Sequence, residues 1–317
     1  MSCNTVIMVW MKHPNAGFGD LLRGTMYLHK LSQKLHFNLN VDMQLHPLSQ
    51  FLLAPPHQHS DYVIQNQSKI VHVINDPFQT QSIEKMIIDY QLGRSPDPIL
   101  ITTNYCDNFH ELPSVECKRF MRALLFPNDE FKTYFNAMCN QFKIIKTYSI
   151  VHFRLGDDEL LNPSANHLVS RAYAHLLPII DANVGSNAYI MADSVQFKQY
   201  LRLVRPGLAN RIIPTTPIHL SHSAETDVAS IKETLFDFML LINARVIKTH
   251  SIYGWISGFV HWGSLVFNVP LINLKPRIQP ISMKPIVKPM QSMQPTILFK
   301  NPIKLITASN LAFNKML

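Results

Sequence analysis

The first 43 residues contain a strand, loop, helix and strand pattern that restricts the chain to a few folds. Residues 5–10 form a continuous apolar run, typical of a strand buried on both faces. A loop with Gly17 and Gly19 interrupts this run, and leucines at helical spacing follow over residues 21–35. Residues 37–43 then alternate apolar and polar side chains, which predicts a half-buried strand. Such a β-α-β unit implies parallel strands joined by a right-handed crossover.

The same rhythm recurs along the chain and restarts near residue 148. Because 317 residues are too many for one ordinary core, we expect two Rossmann-like α/β domains with parallel sheets, of residues 1–146 and 147–274. Further strands are predicted at residues 69–74, 99–103, 148–154, 188–192, 211–214, 246–249 and 271–274. Helices are predicted at residues 82–91, 113–142 with a break at Pro127, 171–180, 195–203, 228–243 and 255–267.

Residues 275–317 differ from the rest in composition and carry most of the net charge. This tail has seven basic residues, no acidic ones and recurrent prolines, which favour an extended segment over helix or central strand. The preceding 274 residues hold 22 basic and 21 acidic groups, so the net charge of +8 lies almost wholly in the tail. We therefore expect no nucleic-acid partner for the folded domains. Binding of RNA or an anionic surface by the tail is a separate hypothesis.

The sequence also gives expectations about the cellular location of the protein. No apolar run reaches the ~18 residues of a membrane-spanning helix, and residues 1–5 lack the features of a signal peptide. The four cysteines form no Cys-x-x-Cys pair, which indicates reduced thiols, with a disulfide between Cys106 and Cys117 as the alternative. A soluble cytoplasmic protein is expected, and its oligomeric state is not predicted.

Residues 148–158 combine a predicted buried strand with a polar turn. Alternate side chains of a strand share a face, so His152 and Arg154 project together. Gly156 permits a sharp turn, and Asp157 follows it. A forked guanidinium beside an imidazole and a carboxylate is suited to binding an anion. The alternative is a core strand that ends in polar residues.

Three other loops also follow predicted strands. The loop of Gly17 and Gly19 lacks the third glycine of the dinucleotide fingerprint but opens a helix, as an anion site does. Asp193 could bind a base or sugar, or belong to the N-terminal cap of the next helix. Residues 250–255 begin an apolar helix whose free N–H groups suit a phosphate. A tight turn and an ordinary cap are the alternatives for the first and third loops.

A metal is not expected. The histidines and aspartate of residues 57–61 lie in a Pro-flanked loop without further ligands nearby, and residues 157–159 do not form an Asp-x-Asp motif.

Taken together, three motifs resemble those of the GDP-fucose-dependent fucosyltransferases, the group that includes α-1,2, α-1,6 and protein O-fucosyltransferases. Residues 17–23, Gly-Phe-Gly-Asp-Leu-Leu-Arg, resemble the family's Gly-x-Gly-Asn-Gln-Leu loop. Residues 152–157, His-Phe-Arg-Leu-Gly-Asp, match its central motif. Residues 237–255 resemble its C-terminal segment, an Asp-led helix followed by a Ser-led, aromatic-rich turn.

The resemblance implies a GT-B architecture, with two facing Rossmann-like domains and GDP-fucose bound mainly by the second. It implies inverting, metal-independent transfer of fucose to a glycan acceptor, with no cofactor besides the donor substrate. Arg154 would stabilise the charge of the departing diphosphate, and His152 would hold the nucleotide or orient Arg154. The alternative function is a non-catalytic relative that binds nucleotide sugars or glycans.

The remaining residues carried over from the family have supporting roles. Asp20 stands where the family has Asn, and beside a diphosphate it is tolerable if it faces the acceptor or serves as a base. We therefore name Arg154 and Asp20 as catalytic. The predicted donor-binding set is Gly17, Phe18, Gly19, His152, Arg154, Asp157, Asp193, Asp237, Ser251, Ile252 and Tyr253.

Overall fold

The computed structural model describes residues 5–12, 17–53, 60–74, 80–93, 98–106, 111–156, 173–218, 220, 227–253 and 255–274. Its strands are β1 Thr5–Val9, β2 Asn38–Asp42, β3 Val71–Val73, β4 Ile99–Thr103, β5 Ser149–Arg154, β6 Ala188–Ala192, β7 Val246–Ser251 and β8 Leu271–Asn273. Its α-helices are α1 Phe18–Leu35, α2 Ser60–Gln65, α3 Thr80–Gly93, α4 Val115–Leu124, α5 Asp129–Gln141, α6 Leu177–Asn183, α7 Val195–Val204, α8 Val228–Asn243 and α9 Gly258–Phe267. Short 3-10 turns occur at Pro47–Phe51, Gln67–Lys69, Ala174–Leu176 and Pro206–Arg211.

The strands form two four-stranded parallel sheets, which confirms the predicted α/β fold class. The order is β2-β1-β4-β3 in the first sheet and β6-β5-β7-β8 in the second. β1 is buried along its whole length, as its continuous apolar run predicts. The predicted division into domains at residue 146 stays a proposal, and the tail of residues 275–317 lies outside the described residues.

Helices at the seam between the two sheets pack into one continuous apolar core. Phe18 of α1 makes edge-to-face contacts with Phe238 of α8 and Phe259 of α9, with ring centroids 4.8 and 6.0 Å apart. Gly19 permits this approach, because a Cβ atom there would lie 2.5 Å from the backbone of Gly258. The starts of α1 and α9 are therefore in direct contact.

Three predicted elements differ from those observed. The strand expected at residues 211–214 is reduced to an isolated bridge between Ile190 and Ile212. In the described part of the helix expected at residues 171–180, a 3-10 turn at Ala174–Leu176 precedes the short α6, which has a proline in its first turn. Helix α9 begins at Gly258 instead of Trp255, with Ser257 at its N-cap position in a non-helical conformation of ψ 128°. Among the residues described, no helix is both long and apolar enough to cross a membrane.

We expect Gly24→Ala to destabilise the protein by about 1–3 kcal/mol, the usual cost of overpacking. A Cβ atom at Gly24 would lie 1.8 Å from the carbonyl oxygen of Thr103, so α1 would have to move away from β4. Urea unfolding measures the change in the free energy of unfolding. Gly93→Ala, where a Cβ atom meets nothing within 4 Å, is the matched control and should not destabilise. Equal stability of the two variants would contradict the close packing of α1 on β4.

Candidate active site

The central motif lies at the carboxyl edge of the second sheet. It ends strand β5, and the next two strands of the chain lie on opposite sides of that strand. β5 is paired with β6 on one side and with β7 on the other, and Arg154 is opposite Ser251 in the β5–β7 register. In open parallel sheets, ligands bind in the crevice beyond the strand ends at such a point. The topology therefore places the ends of β5 and β7 at the position expected for a ligand.

Asp193, just after β6, holds the end of β5 through both of its carboxylate oxygens. Arg154 Nη1 lies 2.5 Å from Asp193 Oδ2. The Leu155 amide donates to the two oxygens at 2.9 and 3.1 Å, and the Gly156 amide donates to Oδ2 at 3.4 Å. One carboxylate thus fixes both the guanidinium and the turn that follows it.

Both members of this ion pair are largely buried. The Arg154 side chain is 14% exposed and the Asp193 side chain 9% exposed, so part of the Arg154 side chain remains accessible. Burial raises the pKa of Asp193, while Arg154 and the two amides oppose that shift. Asp193 therefore fixes the orientation of a partly accessible Arg154 side chain.

His152 lies beneath this surface. Its Nδ1 is 3.1 Å from Thr249 Oγ1 of β7. Burial, together with the charges of Arg154 and Lys198, lowers the pKa of His152 to about 3. The imidazole is therefore neutral at physiological pH, and it ties β5 to β7 beside Arg154.

The loop after β7 places an aromatic pair next to Arg154. The Arg154 guanidinium lies 5.8 Å from the ring centroid of Tyr253. Tyr253 in turn stacks on Trp255, with centroids 5.1 Å apart and planes at 10°. Trp255 is 68% exposed, and Gly156, at φ +127°, brings its turn against Ile252 and Tyr253. The central and C-terminal motifs therefore meet.

The predicted phosphate cradle at residues 251–253 is partly occupied by the protein. The Ile252 amide donates to the Arg154 carbonyl at 3.0 Å, and the Tyr253 amide donates to Ser251 Oγ at 3.2 Å. Ser251 is buried, whereas Ile252 is 49% exposed. The described contacts give these three residues the role of shaping the loop around Arg154.

The Gly17 loop contacts the start of α9, and Asp20 has a local role within that loop. The Gly17 amide donates to Asp20 Oδ2 at 3.0 Å, which closes a capping box at the start of α1. Asp20 Oδ1 also lies 2.8 Å from Arg23 Nη2. Use of Asp20 as a base remains a proposal, and in this conformation both of its oxygens are engaged.

Asp237 lies in a separate buried cluster with Thr215 and Lys198. Of these three residues, only Asp237 is predicted from the sequence. Thr215 Oγ1 donates to Asp237 Oδ1 at 2.8 Å, and Lys198 Nζ donates to the Thr215 carbonyl at 2.6 Å. Burial raises the pKa of Asp237 to about 6 and lowers the pKa of Lys198. Lys198 lies three residues before the buried Leu201 on α7, and this apolar-face position is the sequence signal that could have identified it.

Some predictions fall outside the described residues. These include Asp157, Gly254 and the histidines at positions 57 and 59. Among the described residues, no cluster of three His, Cys, Asp or Glu side chains could hold a metal ion. Cys106, Cys117 and Cys139 are free thiols, as expected.

Comparison with known proteins identifies solved structures that share this fold. No protein-family model matches the chain, and no curated protein does. Among solved structures, the NodZ α-1,6-fucosyltransferase co-crystallised with GDP matches with a TM-score of 0.50 and 15% identity, over 84% of this chain and 93% of that one. NodZ from Bradyrhizobium in its selenomethionine form also matches at 0.50, with 13% identity.

A plant structure matches as well. Mutant FUT1 of Arabidopsis thaliana in complex with GDP matches with a TM-score of 0.52 and 12% identity, over 86% of this chain and 70% of that one. At these identities the likeness establishes the fold. The resemblance read from the three motifs is confirmed at that level, and the architecture is GT-B-like.

Proposed function

We propose that this chain is a glycosyltransferase that transfers fucose from GDP-fucose to a glycan acceptor, by inverting, metal-independent chemistry. The fold supports the proposal, since the matched NodZ structure is a fucosyltransferase crystallised with GDP. The three motifs also support it, since Phe18 of the first contacts Phe238 of the third, and Gly156 of the second lies against Ile252 and Tyr253 of the third. No cofactor besides the donor is part of the proposal.

The observation that carries the proposal is the Arg154–Asp193 pair at the carboxyl edge of the second sheet. Cleavage of the bond between the sugar and the diphosphate leaves negative charge on the departing phosphate oxygen. A guanidinium already aligned by Asp193 stabilises that charge without reorganising. Asp193 acts as a positioning residue, because its oxygens contact Arg154 and the turn.

The remaining roles follow from the same geometry. The acceptor hydroxyl forms the new bond on the opposite face of the sugar and loses its proton to a base. For Asp20 to accept that proton, it must first release Arg23, which it contacts at 2.8 Å. His152, held neutral by burial, is suited to orient Arg154, because its contact with Thr249 ties β5 to β7 beside that residue.

The direct test combines binding with turnover. Thermal shift with GDP, UDP and their sugars identifies the donor, and we expect GDP compounds to give the larger stabilisation. Mass spectrometry of a glycan library incubated with GDP-fucose then detects a fucosylated product. Stabilisation without product or donor hydrolysis would favour a binding protein, and stabilisation by UDP alone would contradict the donor assignment.

We expect GDP to quench the intrinsic fluorescence of the protein in a saturable manner. Trp255 is 68% exposed and stacks on Tyr253 beside Arg154, whereas Trp10 and Trp262 are 0% and 4% exposed. A fluorescence titration measures the change. Trp255→Phe should remove the signal while thermal shift still detects GDP, and Trp262→Phe is the control that should retain it. Quenching that survives Trp255→Phe would place the nucleotide elsewhere.

A further inference from the structure

A cavity of about 220 Å³ lies on the first-sheet side of the seam between the two sheets, and no motif of the sequence predicts it. Its walls come from one face of α1, the segment after β4, the start of α4 and Trp262 of α9. Because it is smaller than the ~300–1,000 Å³ of pockets for drug-sized ligands, it suits one small ring or group.

The near edge of the cavity lies next to the point where α1 and α9 meet. Gly19 of α1 touches Gly258 of α9. Arg23 and Trp262, which line the cavity, are each four residues further along the same helices, and Lys30 is eleven residues from Gly19. At about 1.5 Å per residue, the cavity therefore extends from about 6 Å to about 16 Å along α1 from that contact.

The charges around the cavity are already balanced. Arg23 is paired with Asp20 at 2.8 Å, and Lys30 with Glu111 at 2.5 Å. Burial favours the neutral forms of two other lining residues, because it lowers the pKa of His29 and raises the pKa of Cys117 to about 12. These two ion pairs therefore offer no uncompensated charge to an anionic or a cationic ligand.

The start of α4 does not change that balance. The Cys117 amide donates to Ser114 Oγ at 3.1 Å, so the helix cap is supplied by the protein. The remaining lining includes aromatic and apolar groups, namely Tyr27, Met26, Leu112 and Pro113. Fixed donors and acceptors beside apolar faces are complementary to a ring that carries hydroxyl groups and no charge.

We propose that this cavity binds one neutral sugar ring of the glycan acceptor. The inference rests on the proposed function, since it assigns the acceptor side of the same reaction. Glu111 accepts hydrogen bonds from sugar hydroxyls, and Lys30 and Arg23 donate to them. Leu112, which is 69% exposed, and Pro113 offer the apolar surface against which the apolar face of the ring packs.

Two matched surface ion pairs on α1 provide the test. Glu111 pairs with Lys30 inside the cavity, and Glu84 pairs with Lys34 outside it, both at 2.5 Å. Glu111→Gln and Glu84→Gln make the same change of charge at partly exposed positions. An array of neutral and of sulfated or sialylated glycans is probed with each protein, and GDP binding is measured separately by thermal shift.

We expect wild-type protein to bind a neutral glycan and Glu111→Gln to weaken that binding about tenfold, the scale for a hydrogen bond to a charged group. Glu84→Gln should bind as the wild type does, and GDP binding should be unchanged in both variants. Equal affinities of the two variants, binding of anionic glycans alone, or binding of no glycan would overturn the proposal. Absence of GDP binding with intact glycan binding would instead contradict the proposed function.

Discussion

An Arg154→Ala variant is expected to transfer sugar at least ~10²-fold more slowly than the wild type, the scale for losing one preorganised donor to a developing oxyanion. Arg154 is the cation that Asp193 aligns at the carboxyl edge of β5, with 14% of its side chain exposed. Steady-state kinetics with GDP-fucose should show the loss in kcat more than in KM, because the charge grows in the transition state.

Two further variants separate chemistry from folding. Arg154→Lys keeps the charge but loses the forked geometry, so it should remain folded and still be impaired. Arg205→Ala removes an exposed arginine whose two hydrogen bonds to Asp181 measure 3.0 and 2.8 Å, and it should leave turnover unchanged. If folded Arg154→Ala protein retains wild-type turnover, Arg154 does not stabilise the leaving group.

An Asp193→Ala variant is expected to lose about 3–5 kcal/mol of stability, the usual cost of leaving a buried charge without its partner. The carboxylate is 9% exposed and also accepts the Leu155 and Gly156 amides, so its loss frees a guanidinium and two backbone donors. Urea unfolding measures the stability, and the same protein should show impaired transfer because Arg154 is no longer aligned.

The controls are the exposed Arg205–Asp181 pair and a double variant of the buried pair. Asp181→Asn breaks the surface contact with Arg205 and should leave stability almost unchanged. The double variant Arg154→Met with Asp193→Leu should recover part of the stability lost in Asp193→Ala, without recovering transfer. Asp193→Ala protein as stable as Asp181→Asn protein would show that the buried pair has no structural role.

Much of the fold could be predicted because periodicity reports local burial. The strand at Ile99–Thr103 and the helix at Val228–Asn243 have the predicted limits, since their apolar patterns match their exposure. The continuation of the β7–β5 pairing to Ile252 could not be predicted, because it depends on a hydrogen bond to the carbonyl of Arg154 on another strand. Secondary-structure propensity depends on residues that are close in sequence, whereas this hydrogen bond joins two residues that are far apart in sequence.

The sequence by itself determined the parallel α/β architecture and the positions of the three strand-end loops. Only the tertiary structure decided which side chains meet there. Asp193 and Arg154 are 39 residues apart and form an ion pair because β6 lies beside β5. Asp20, predicted as a base, is engaged with Gly17 and Arg23. Residue type indicates what chemistry a side chain can perform, but the crossovers between strands determine which partner it finds.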